Sequence, residues 1–266
     1  MDKILKKSIV KIKGIDYVRD LGGIETTDGK HIKYGLIYRT SHLSYIKDDT
    51  KDLLVNKYHI SKDIDFRSSS ELLDKPEQLI DGVEYVLLQV LDDNDNPAVN
   101  KETRNDVLRK NMSADGGTKG HLTEIYRKVV TNEATINHYA NFFREILKSD
   151  GKPLIYHCTQ GKDRTGIATI FLLLALGVDR QTIKKDYLYY NVASRRKNRL
   201  YTTGVAVAYF SPRKAKALHF LLTTHGDYVD AAFEEIDKLG GTDIYLHQYL
   251  KLSDEDISRL KDIYLE

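Results

Sequence analysis

Apolar residues along the chain follow two periods. "KPLIYHC" and "VEYVLLQV" are almost continuous apolar runs, the pattern of strands buried on both faces, and "HISKDIDF" predicts a further strand ending at Asp65 and Phe66. "DDTKDLLVNKY" reads as a short amphipathic helix. "HLTEIYRKVV" and "ATINHYANFFREILK" repeat at helical spacing, the second putting Ile136, Tyr139, Phe142, Phe143 and Ile146 on one face. "TGIATIFLLLALGV" is apolar nearly all round and so predicts a central helix. The remainder, from "DRQTIKKDYLYYNVAS" through "PRKAKALHFLLTT" and "YVDAAFEEIDKLG", is helical, and a last helix opens at Ser253 with Asp256 three residues on, as in a capping box. Near the start, Asp28-Gly29 between short alternating runs predicts a hairpin. Strands alternating with helices, then helices alone, imply an α/β fold with a mainly parallel central sheet and a helical C-terminal part.

Between these elements, residues 98–120 are polar and carry Gly116-Gly117. We read a surface insertion, a lid spanning about 98–130, within one domain covering 1–266. No linker-like or repeated stretch divides the chain. Its net charge of +2 arises from many charges of both signs, which argues against a nucleic-acid partner. No transmembrane run and no signal-like apolar start is present, so the chain as written reads as cytoplasmic, with export open to a form whose signal was removed. A single cysteine rules out an intrachain disulfide and a Cys-rich zinc site.

That cysteine lies in "IYHCTQGKDRTGIA". A predicted strand leads into Cys158, and Arg164 opens the central helix six positions later. Backbone N–H groups of Thr159, Gln160, Gly161, Lys162 and the residues up to Arg164, at a helix N-terminus, make a cradle for a phosphate-sized anion. Gly161 permits the turn, and Arg164 adds a planar fork for two phosphate oxygens. The same positive field lowers a thiol's pKa, and a thiolate beneath a phosphate is a nucleophile aimed at phosphorus. Lys162 inside such a cradle is expected to contact substrate, and His157 to brace the loop. A Walker A loop does not fit, because no glycine stands five before Gly161 and Asp163 follows Lys162.

"HCTQGKDRTG" resembles the signature of the cysteine-based phosphatases, and its Gly-Lys-Asp-Arg-Thr-Gly form is similar to the atypical bacterial tyrosine and phosphoinositide phosphatases of the PtpB and LipA type. "YVRDLGG", "GLIYRTSHL", "IDFRSSSEL", "DYLYYN" and the C-terminal "YLHQYLKLSDEDISRLKDIYL" resemble further elements of that family, so the likeness runs over about 17–265. Tyr17 stands where the family often has asparagine, and Thr40 where it usually has serine. The resemblance implies the cysteine-phosphatase fold and hydrolysis of phosphate monoesters through a phosphocysteine, without metal or other cofactor. Implied partners are phosphotyrosine proteins or peptides and phosphoinositides, with inorganic phosphate as product. Cys158 would attack phosphorus, Arg164 and the loop N–H groups would hold the equatorial oxygens, and Thr165 would donate to the sulfur.

The general acid stays open at this level. The resemblance favours Asp163, although a helix N-terminus and Arg164 both favour its ionised form. Asp92 or Asp93, in the loop after the 83–90 run, is the alternative. "DDNDNP" is a poor calcium loop, since Pro97 and Thr103 occupy the glycine and glutamate positions. Arg19, Arg39 and Arg67 are expected in salt bridges with Asp20 or Asp65, or at the substrate. The basic run "SRRKNR" is a solvated helix face or a border of the pocket. A cysteine phytase, an inactive phospholigand-binding module and a rhodanese-like sulfur transferase are the rival readings of the same loop.

Overall fold

The computed structural model describes residues 2–90, 117–209 and 211–266. Five strands form one sheet: β1 (Val18–Asp20), β2 (Ile37–Ser41), β3 (Lys62–Asp65), β4 (Glu84–Leu87) and β5 (Leu154–Cys158), in the order β1-β2-β5-β3-β4. Only β1 runs antiparallel to its neighbour, and β2, β5, β3 and β4 are mutually parallel. β5 thus occupies the middle, with Ser41 beside Cys158 and Asp65 beside His157. Ligands in open parallel sheets bind beyond the carboxyl ends of the strands where the order switches, and β5 ends there.

Alternation along the strands divides the core in two. Leu154 and Tyr156 face a large cluster with Phe66, Tyr139, Phe142 and Phe171, while Ile155 faces a smaller one with Val18, Leu43, Leu54 and Ile60. The large cluster is filled by helices Glu133–Ser149 and Asp163–Ala175. The first is amphipathic as its spacing predicts, capped by Asn132 accepting from the Thr135 N–H at 3.0 Å and ended by Asp150 in the left-handed region. In the second every residue but Asp163 is buried. The helical C-terminal part follows the sequence reading, and Ser253 with Asp256 forms the expected capping box over Asp254–Tyr264.

Two expectations change. The 83–90 run forms an edge strand, not one buried on both faces: β4 pairs on one side only, and Glu84 and Leu87 are exposed while Val86 packs on the core. Its apolar character serves one face plus the strand end. Asp28-Gly29 makes the expected tight turn with Gly29 at φ +82°, its flanks pairing through Thr26 N–H to the Lys30 carbonyl and Ile32 N–H to the Ile24 carbonyl, each at 2.9 Å, but with one β-bridge, Glu25 to His31, in place of extended strands. Of the expected lid, residues 98–116 lie outside the described residues, and its remainder belongs to a helix, Gly117–Thr131, that buries Leu122, Tyr126, Val129 and Val130. No described helix is long and apolar enough to cross a membrane.

Asp186, in helix Arg180–Leu188, binds the chain's opening strands to its helical part. Its carboxylate pairs with Arg19 of β1 through Oδ1 and with Arg39 of β2 at 3.5 Å through Oδ2, all three side chains being almost wholly buried. Loss of one partner from a buried ion pair leaves charge uncompensated. Asp186→Asn is therefore expected to cost about 3–5 kcal/mol in urea unfolding, with the same secondary-structure content by circular dichroism.

Candidate active site

β5 delivers Cys158 to the floor of a loop that ends at Asp163, the first residue of helix Asp163–Ala175. The thiol is 97% covered, since Cys158 keeps only 3% of its exposure. The loop turns through Gly161 at φ +67°, where a Cβ would fall 2.3 Å from the Thr40 carbonyl oxygen. From beneath, Arg39 donates to the Gly161 carbonyl at 2.8 Å and to that of Lys162 at 3.4 Å. The loop's carbonyls are thereby drawn down. The N–H groups of Gln160, Gly161 and Lys162 have no acceptor among the described residues.

Arg164 fixes the cradle's polarity. Its Nη1 donates to the Phe66 carbonyl at 3.1 Å and to Glu71 Oε2 at 2.6 Å, and its Nη2 donates to Glu71 Oε1 at 2.7 Å. A guanidinium has five N–H groups in one plane, so Nε–H and one N–H of Nη2 remain, side by side on a single edge. Among the described residues that edge has no protein acceptor, and it matches the spacing of two oxygens of a phosphate.

The electrostatics follow from burial and this charge. Burial pushes the Cys158 thiol up, but the Arg164 charge, with the hydroxyl and N–H of Thr165, outweighs it and holds the thiol below its ordinary value. Among the described residues the buried Thr165 hydroxyl has no conventional partner, which leaves the sulfur as the group it serves. Burial would also discharge Arg164, yet Glu71 and the nearby thiolate hold it firmly charged. His157 is wholly buried; desolvation disfavours its charge, but Asp65, Asp63 and Glu77 together push it up to about 10. Its Nδ1 lies 3.3 Å from the Cys158 carbonyl, so it does brace the strand end.

Other expected residues are placed as follows. Asp163 is partly exposed, at 42% of its side chain, and its Oδ1 accepts from the Tyr126 hydroxyl at 2.6 Å. Asp92 and Asp93 lie outside the described residues. Gln160 is exposed, and the Thr159 hydroxyl donates to Glu71 Oε1. Lys162 departs from the expected substrate contact. It is buried, its ammonium donating to the Leu221 and Thr223 carbonyls at the end of helix Pro212–Leu222 and lying 3.4 Å from Asp163 Oδ2. Three acceptors for three N–H groups turn it into a clasp on that helix terminus. Arg67 pairs with Asp65 in two-pronged fashion, as expected, whereas Arg19 and Arg39 meet Asp186; Asp20 instead accepts the Gly22 and Gly35 N–H groups, each at 2.8 Å. The basic run forms the start of helix Arg195–Tyr209, with Arg195, Arg196, Lys197 and Arg199 along it.

Sequence reasoning missed Glu71. It caps helix Ser69–Asp74, whose Ser68 and Glu71 form a capping box, and the same carboxylate clamps Arg164. The signal was the Ser-x-x-Glu spacing within "FRSSSEL", which announces a helix start but not what else its carboxylate holds.

A model of the tyrosine phosphatase family matches residues 10–266. A Cupriavidus necator protein that carries a tyrosine-protein phosphatase name is 30% identical over 261 residues, covering 94% of this chain and 86% of its own length. The triple specificity protein phosphatase PtpB of Mycobacterium tuberculosis is 26% identical over 261 residues, covering 88% of this chain and 92% of its own.

Burial raises Glu71, but Arg164 and Thr159 bring it from 4.5 down to about 2. A carboxylate depressed in the folded state stabilises above its unfolded value and loses that contribution as pH falls through the folded one. Stability supplied by Glu71 is thus expected in full above about pH 4.5 and to vanish towards pH 2. In urea titrations across that interval, Glu71→Gln should start less stable than wild type at pH 6 and lose less on acidification.

Proposed function

The chain belongs to the tyrosine phosphatase family, and we propose that it hydrolyses phosphate monoesters through a phosphocysteine, taking phosphotyrosine proteins or peptides and, as a second class, phosphoinositides. The unoccupied edge of Arg164 beside a charged-state-stabilised thiol carries this reading. The phosphoryl oxygens dock on that edge and on the free loop N–H groups, which sets phosphorus over Cys158 Sγ. The thiolate attacks phosphorus, the ester oxygen departs with a proton, and the S–P bond holds the phosphoryl group. Water then attacks phosphorus, gives up its proton, and inorganic phosphate leaves as Thr165 hydrogen-bonds the departing thiolate.

Asp163 serves as the group that gives and then takes the proton. Its carboxyl stands at the loop's rim, partly exposed and oriented by Tyr126. The Tyr126 hydroxyl and the Lys162 ammonium fix where its two oxygens stand, and it gives its proton to the ester oxygen in the first step and takes one from water in the second. The scheme draws its positive charge from Arg164 and the backbone and routes no step through a metal. The name of the mycobacterial relative supports a substrate range wider than phosphotyrosine alone. Glu71 is a positioning residue here, since it acts through Arg164.

Phosphate release from phosphotyrosine, phosphoserine and phosphothreonine peptides, phosphoinositides and phytate, with chelator present, tests the assignment. Turnover should vanish in Cys158→Ser while substrate still binds, and Arg164→Lys should lose both binding and rate. Stepwise release of several phosphates from phytate in preference to the other substrates would favour the phytase reading. Asp163→Asn is expected to lower kcat by about 100-fold or more on esters with poor leaving groups and far less on activated aryl phosphates. Equal loss on both ester types, or none, would remove Asp163 from the acid role.

A further inference from the structure

Beside the end of β5, three side chains converge that the reaction does not use. Asp63 on β3, His157 on β5 and Glu77 in the segment after helix Ser69–Asp74 each point one ligand atom into a shared space, all within 4.8 Å of one another. His157 Nε2 lies 3.2 Å from Asp63 Oδ1 and 3.8 Å from Glu77 Oε2. Asp63 and His157 are 2% and 0% exposed, and the Glu77 side chain 3%. Buried polar atoms normally have partners, yet Asp63 Oδ1, Glu77 Oε1 and His157 Nε2 have none in hydrogen-bonding geometry among the described residues.

We propose that Asp63, Glu77 and His157 bind a divalent transition-metal ion, with zinc the best match to one imidazole and two carboxylates. Donors about 2.0–2.2 Å from a tetrahedral ion stand roughly 3.3–3.6 Å from each other, close to the spacing around His157 Nε2. Calcium and magnesium select oxygen donors alone, so the imidazole argues for a later metal. The other imidazole nitrogen is already oriented: Nδ1 lies 3.3 Å from the Cys158 carbonyl and 3.6 Å from Asp65 Oδ1, the outer support that metal-bound histidines have. Local charge agrees. Arg67 pairs with Asp65 in two-pronged fashion and also donates to Glu77 Oε2, which leaves Glu77 Oε1 for the ion; three carboxylates around one guanidinium and a neutral imidazole leave the net charge that a divalent ion balances. On binding, the ion takes the place of the proton on Nε2, which passes to solvent. The site joins β3 and β5 one residue before the thiol, so occupancy would stiffen the floor of the cradle without touching the phosphate.

The single thiol is a competing zinc ligand, and the test removes it. Zinc titration by calorimetry on the full chain bearing Cys158→Ser should show one equivalent bound, a raised Tm, and affinity weakened at least about 10-fold by adding Glu77→Gln. Cobalt in the Cys158→Ser protein should give tetrahedral ligand-field bands without a thiolate charge-transfer band. Asp63→Asn, in the same background, should act like Glu77→Gln; circular dichroism verifies that each variant is folded, and the cobalt spectrum needs no substitution in the site. Zinc that binds wild type but not Cys158→Ser, equal binding with and without Glu77→Gln, or no binding would each overturn the proposal. In the last case the three groups share protons instead.

Discussion

Two hydrogen bonds between Arg164 and Glu71 join the helix that follows the thiol to the short helix that follows β3. Much of the site's arrangement depends on them. They spend one edge of the guanidinium on protein and so orient the other, and they give the Thr159 hydroxyl a fixed acceptor. Because Glu71 also closes the capping box on Ser68, its rotamer is set by helix geometry before it meets the arginine. Preorganisation of this kind lets a donor be aimed when charge develops, with no cost of turning it at that moment.

Beneath the loop lies a second layer, in which Arg39 holds the Gly161 carbonyl while its other nitrogen leans on Asp186. The layer explains why residues far apart in the sequence share one motif set: Arg19, Arg39 and Asp186 form one buried charge group, and Gly161 must lack a side chain because Thr40 sits against it. A buried network of this type is expensive to break at one member. Its role is to fix the height of the loop above the sheet.

Much of this was legible in the sequence because it rests on local rules. Period and punctuation identified the central strand, the all-apolar helix and the capping box at Ser253. The spacing from Cys158 to Arg164 identified the cradle, since a strand, a tight loop and a helix N-terminus suffice to build it. What stayed hidden depends on distance in three dimensions. An apolar run does not say whether its strand is central or at the edge, as β4 shows. Nor does a lysine beside a catalytic loop say which way it points; Lys162 turns to a helix end because two carbonyls await it there, with the Asp163 carboxylate alongside. Glu71 was in view as a helix signal, and only the fold brings it 93 residues forward to Arg164.

The lone cysteine has a consequence for chemistry under oxidising conditions. The microenvironment that makes Cys158 a nucleophile also makes it prone to sulfenic acid, and many such thiols are rescued when a neighbouring cysteine closes a disulfide. Within these 266 residues there is no second sulfhydryl to do so. Recovery must therefore come from a thiol on another molecule reaching a sulfur that keeps 3% exposure, whether it attacks the sulfenic acid or the sulfenamide ring that the following backbone nitrogen can close. Inactivation by peroxide is thus governed by the reductant around the protein, not by a relay built into its chain.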